Sequence, residues 1–178
     1  RSHQAALGRA MERIRSDLVR RPGTRSVVMA HAFVAGGVPS DSERDITVGG
    51  VSMVPLSLFE GVDYTALGHL HGPHTVTPTV RYSGSPLAYS FSEADQRKGS
   101  WLVDLDGRGV AATEFVAAPV PRPLRVLRGE IDALLADCDA LLITSDHEGI
   151  PISALQALAR GVPVFGFRVG GLPELETA

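Results

Sequence analysis

Two short apolar runs that each end in histidine constrain this chain more than any other feature. Ser26-Val27-Val28-Met29-Ala30 runs into His31, and Asp63-Tyr64-Thr65-Ala66-Leu67 runs into Gly68-His69-Leu70-His71. Apolar, β-branched runs of this length read as buried strands. Before them, Leu7, Met11, Ile14 and Leu18 recur at helical spacing, which predicts an amphipathic helix from about Gln4 to Arg20, stopped by Arg21-Pro22-Gly23. Strands mixed with helices predict an α/β fold. In such sheets ligands gather beyond the carboxyl ends of the strands, where His31, His69 and His71 fall.

The rest of the chain fills in around this frame. A loop rich in Gly, Ser and Asp is expected from Ala35 to Gly50. Val80-Arg81-Tyr82 reads as extended and leads into a turn at Ser83-Gly84-Ser85-Pro86. Ser100 to Leu105 and Val110 to Val116 flank Asp106-Gly107-Arg108-Gly109, a hairpin signal. Pro119, Pro121 and Pro123 force an extended stretch at the edge of this unit. Beyond about Asp132 the pattern changes. Ala140 to Ile143 reads as a buried strand, Pro151 to Arg160 as a helix closed by Gly161, and Val162 to Phe167 as a second strand. That succession predicts a parallel βαβ unit.

Hydrophobic residues make up 44% and charged residues 21%, a balance that excludes a disordered chain. No apolar run is long enough to cross a bilayer, and the polar start Arg1-Ser2-His3-Gln4 is unlike a signal peptide. A reducing, cytoplasmic setting is therefore expected, with Cys138 as a small buried residue. The net charge of −3 excludes gripping DNA by bulk charge, so metal ions and a partner would have to supply much of any attraction. Arg9, Arg13, Arg15, Arg20 and Arg21 alternate with Glu12 and Asp17 as a solvated helix face.

If Gly68 to His71 stays extended, His69 and His71 point to the same side, and Gly68 leaves room for close approach. His-x-His alone is a weak signal, and a lone histidine after a strand is more often a hydrogen-bonded residue than a ligand. His3, His74 and His147 lack comparable support and are expected on the surface.

A wider set of blocks sharpens the reading. Val28-Met29-Ala30-His31, Gly68-His69-Leu70-His71-Gly72, Tyr82-Ser83-Gly84-Ser85-Pro86 and Ser90-Phe91-Ser92-Glu93-Ala94 through Lys98-Gly99-Ser100 resemble, in order and spacing, the SbcD nuclease family of calcineurin-like metallophosphoesterases. The resemblance runs from the opening helix to Pro123-Leu124-Arg125-Val126-Leu127-Arg128-Gly129. It implies the second half of a metallophosphoesterase α/β sandwich over residues 1–132. It implies His31 and His69 as ligands of one divalent ion and His71 as a ligand of a second, usually manganese. The implied activity is phosphodiester hydrolysis on DNA, as an exonuclease or endonuclease in repair and recombination. The implied partners are DNA, a coiled-coil ATPase of the SbcC type and a second copy of the chain. The family pattern also includes an early Asp-x-His, a bridging Asp and an Asn-His pair; no Asp-x-His and no Gly-Asn-His occur in this sequence. Those groups are expected to precede Arg1, with both ends being cuts through something longer, and isolated catalysis is not expected. An exposed sheet surface, where the further half would pack, is expected too.

The tail carries a different pattern. Ser145-Asp146-His147-Glu148-Gly149-Ile150-Pro151, Ala154-Leu155-Gln156-Ala157-Leu158-Ala159, Gly161-Val162-Pro163-Val164 and Val169-Gly170-Gly171-Leu172-Pro173-Glu174 resemble the nucleotide-sugar half of retaining glycosyltransferases with two Rossmann-like domains. The resemblance implies Glu148 beside a donor sugar and Gln156 where the family has a second Glu for the donor ribose. The plainer alternative is that Ser145 and Glu148 form a helix capping box. The expected organisation is thus a nuclease-like piece, 1–132, and a glycosyltransferase-like βαβ fragment, 133–178, in a fused or rearranged chain. Three functions follow: a metal-dependent nuclease, a nucleotide-sugar-binding fragment, and a non-catalytic chimeric remnant.

Overall fold

The structure, a computed structural model, describes residues 3–34 and 53–177. The fold is α/β, and the chain divides into two compact units, Arg1–Val126 and Leu127–Ala178. The loop expected from 35 to 50 lies outside the described residues.

The first unit opens with helix α1, His3–Val19. Its predicted stripe faces the core at Leu7, Met11 and Ile14. Met11 is buried, and Leu7 and Ile14 pack beside it in a core with Val28, Val34, Val54, Phe59, Leu67, Leu70, Val80 and Tyr82. Strand β1 is Val27–His31, β2 is Tyr64–Gly68, β3 is His74–Thr77 and β4 is Val80–Tyr82. They form one sheet in the order β1-β2-β4-β3, with β1, β2 and β4 parallel and β3 antiparallel to β4.

Asp63 latches the start of this sheet. Its carboxylate accepts from the Ser26 backbone N–H at 2.7 Å, the Ser26 hydroxyl at 2.8 Å and Arg25 at 2.7 Å. This sets Val27 opposite Tyr64 and, four steps on, His31 opposite Gly68. Burial pushes the Asp63 carboxyl up, but the Ser26 hydrogen bonds and the Arg25 charge outweigh it and hold it below the ordinary carboxylate range.

Three expectations are corrected by the fold of this unit. Strand β1 is not buried on both faces: Val28 is covered, but Val27 and Met29 are 53% and 84% exposed. The strand lies at the sheet edge and the core covers only one side of it, which leaves the expected exposed apolar sheet surface. Arg15 is not part of a solvated helix face. It donates to the carbonyls of Leu58 at 2.7 Å and Glu60 at 3.0 Å, tying α1 to the 3-10 turn Leu56–Phe59. His74 is half-buried within β3 rather than on the surface, its ring 6.5 Å from that of Tyr82, and His3 is also half-buried, whereas His147 is exposed.

A hairpin of β5, Gly99–Asp106, and β6, Gly109–Ala117, completes the unit. Trp101 anchors it by donating from its indole to the Tyr82 carbonyl at 3.0 Å, with the Arg81 guanidinium 5.0 Å from its ring centre.

In the second unit, helix α2 is Ile131–Ala136, strand β7 is Leu141–Ile143, helix α3 is Ile152–Ala159 and strand β8 is Val164–Gly166. Strands β7 and β8 pair in parallel, as the βαβ pattern predicts. Helix α3 ends in a Schellman turn. Val162 N–H reaches the Ala157 carbonyl and Gly161 N–H the Leu158 carbonyl, both at 2.9 Å, with Gly161 at φ 74°. Cys138 is exposed rather than buried, because it lies just beyond the end of α2, its thiol 3.2 Å from the Leu134 carbonyl. Strand β7 is not fully buried either: Leu142 is 67% exposed.

Candidate metal centre

The carboxyl ends of β1, β2 and β4 lie side by side, and the chain places a polar group at each. His31 is the last residue of β1, His69 follows β2 directly, and Ser83 follows β4. The imidazoles of His31 and His69 meet edge to face with ring centres 5.3 Å apart. Gly68 makes this possible, since a Cβ there would stand 3.1 Å from His31 Nδ1. His31 is exposed and His69 half-buried, so the pair is open to a solvated ion. Phe33 packs its ring 5.8 Å from that of His69.

Extended alternation does not carry the chain from His69 to His71. Strand β2 stops at Gly68, and His69 adopts φ 111°, a backbone state that L residues avoid. Such strain persists only where the surroundings enforce it, and it clusters at binding sites. Leu70 is 2% exposed, so the kink buries an apolar side chain between the two histidines.

His71 is held by a different set of partners. Its Nδ1 lies 2.9 Å from Glu93 Oε1, and its ring is 5.3 Å from that of Tyr89. Glu93 is fully buried and pairs through Oε2 with Lys98 Nζ at 2.9 Å. Lys98 also donates to the His71 carbonyl at 3.0 Å and to Ser85 Oγ and Gln96 Oε1, each at 2.9 Å. The Ser85 N–H reaches the same His71 carbonyl at 3.0 Å. The turn at Gly84 permits this approach, for its φ is 87° and a Cβ would come within 2.7 Å of His71 O.

Glu93 and Lys98 fall within the blocks that carry the nuclease resemblance, yet the sequence alone gives neither residue a role. The signal is a carboxylate and a lysine five positions apart in a polar, turn-rich stretch, which ordinarily describes a solvated loop. Their burial becomes visible only when the segment folds under His71.

Imidazoles at strand ends, with one ring backed by a carboxylate, are donor chemistry suited to a divalent transition ion. They fit part of a coordination shell. Among the described residues, no group of three or more His, Cys, Asp or Glu side chains gathers closely enough to hold a metal ion. No helix among those residues is long and apolar enough to cross a membrane.

In the second unit, Glu148 and Gln156 are both half-buried. The Glu148 loop packs against the Val169–Glu174 block: Gly171 N–H reaches the Gly149 carbonyl at 3.0 Å, and a Cβ at Gly170 would run into the Glu148 carbonyl. The capping-box alternative is overturned. Helix α3 starts at Ile152 with Pro151 as its N-cap and no side-chain capping bond, so Ser145 and Glu148 lie too far upstream.

Comparison with known proteins gives two separate similarities. The chain is 34% identical over 137 residues, 76% of its length, to the SbcD component of the SbcCD nuclease of Staphylococcus epidermidis, and the match spans 36% of that protein. Residues 123–178 match the family described as "Glycosyl transferases group 1". The chain is therefore similar to a nuclease component over most of its length and to group 1 glycosyl transferases in its tail.

Proposed function

We propose that the histidine-bearing sheet edge is part of the divalent-ion site of a DNA phosphodiesterase. The observation that carries this reading is the His31–His69 ring pair, 5.3 Å apart at the carboxyl ends of two paired parallel strands. His31 and His69 would serve one ion and His71 a second, with manganese as the expected metal. Bound divalent ions would supply Lewis acidity and an activated water. This chain's residues would hold and orient the ions. Because the described residues gather no full shell, turnover is expected to need carboxylate and imidazole donors beyond them. The name of the similar nuclease component supports a nuclease reading, and we extend it to a DNA substrate, an SbcC-type ATPase partner and a homodimeric assembly.

A second reading applies to the tail. The border expected near 132 falls close to the division of the compact units at Val126 and Leu127, which supports a nuclease-like piece, 1–132, and a distinct fragment, 133–178. The packing of the Glu148 loop against Gly170 and Gly171 favours a nucleotide-sugar-type fragment, with Glu148 facing the sugar and Gln156 the ribose. A chimeric remnant without turnover is the third outcome.

Calorimetric titration of the full chain with MnCl2 and with UDP-glucose separates the three. Manganese binding lost in the His69→Ala, His71→Ala double variant, without UDP-glucose binding, supports the first. UDP-glucose binding lost in Glu148→Ala, without manganese binding, replaces it with the second. Absence of both leaves the remnant.

A further inference from the structure

A fully buried carboxylate is costly unless its charge and lone pairs are satisfied, so the way Glu93 divides its two oxygens is informative. Oε2 accepts from the Lys98 ammonium at 2.9 Å and from the Tyr89 backbone N–H at 3.2 Å. Oε1 is turned the other way, 2.9 Å from His71 Nδ1. An ionised carboxylate only accepts, so Nδ1 donates, and in the neutral ring Nε2 is then the nitrogen with the acceptor lone pair. Meanwhile Lys98 Nζ and the Ser85 N–H hold the His71 backbone carbonyl, each at 3.0 Å. The residue is clamped at both ring and backbone.

We propose that Glu93 is a positioning residue, oriented by Lys98, that fixes His71 in the Nδ1–H tautomer and so dedicates Nε2 to a divalent cation. This rests on the reading of the sheet edge as a cation site. The rival explanation is a buried ion pair that merely joins the 3-10 turn Phe91–Glu93 to the start of β5. The two differ in what they require. A structural pair needs the charges matched; a positioning residue needs an acceptor on the His71 side.

The Glu93→Gln variant separates them because it keeps the shape. The Oε2 position faces two donors, so the amide oxygen settles there and the NH2 turns to His71. Facing a donor, Nδ1 must accept, and the proton moves to Nε2, where it opposes cation binding. The experiment uses the full chain labelled with 15N-histidine at pH 8, with the His71 signal identified by its loss in His71→Gln. Long-range 1H–15N correlation reads which ring nitrogen carries the proton.

The expected result is Nδ1–H in the wild type and Nε2–H in Glu93→Gln, with manganese broadening of the His71 signal requiring roughly tenfold or more MnCl2 in the variant. An Nε2–H tautomer in the wild type overturns the proposal without any variant. So does an Nδ1–H tautomer retained in folded Glu93→Gln. A tautomer that switches as expected, in a protein whose histidines MnCl2 never broadens, supports the lock and overturns the cation site itself.

Discussion

The Tyr82 hydroxyl donates to the Ala32 carbonyl at 2.9 Å, across fifty positions of sequence, and Ala32 is the residue that follows His31. The same oxygen accepts from Val34 N–H at 2.9 Å. A completely buried phenol on the third parallel strand thus fixes the backbone on which the first histidine stands. Tyr82→Phe keeps the ring but strands a buried donor and a buried acceptor. The expected loss is about 1–3 kcal/mol, read by urea unfolding. Manganese affinity is expected to fall with it, as His31 loses its fixed base.

The strained backbone at His69 predicts an exchange between stability and binding. With φ at 111°, a histidine costs about 1–3 kcal/mol relative to a residue at ease there, and glycine is at ease. After glycine's own entropic cost, His69→Gly is expected to raise unfolding stability by about 1 kcal/mol while weakening manganese binding. Thermal unfolding and calorimetry on the same sample check both halves.

At Gly84 the expected effect runs the other way. Alanine would need φ of 87° and would press its Cβ to 2.7 Å from the His71 carbonyl. Gly84→Ala is expected to cost about 1–3 kcal/mol and to shift the His71 ring resonances, which two-dimensional NMR would show.

Asp63 gives the first unit an acid-sensitive latch. Its folded carboxyl is held below the range it has in the unfolded chain, so it contributes stability above that range. The contribution is lost as pH falls through the lower, folded value. Urea midpoints measured from about pH 6 to about pH 3 are expected to drop below about pH 4, the ordinary aspartate range. Asp63→Asn is expected to flatten that limb while lowering stability near neutrality.

The elements that frame the site were legible because their signals are local. The β-branched run before His31, the apolar run before Gly68 and the stripe at Leu7, Met11 and Ile14 each encode an element within a few residues. Gly161 announced the end of α3 in the same way. What stayed hidden depends on partners far along the chain. Glu93 reaches back twenty-two positions to His71, and Arg15 reaches forward more than forty to Leu58 and Glu60. Nothing near either residue distinguishes it from a solvated charge. An exposed sheet surface was expected, but not that β1 would carry it, since the run before His31 reads as buried throughout and only the core's coverage of one face exposes Val27 and Met29.

His31 and His69 are expected to contact one divalent cation together. Manganese EPR of the full chain tests it most directly, by following the loss of the free-ion signal during titration. Saturable uptake is expected, weakened at least about tenfold in both His31→Ala and His69→Ala, the scale of disturbing a metal site. Uptake unchanged in both single variants would contradict it.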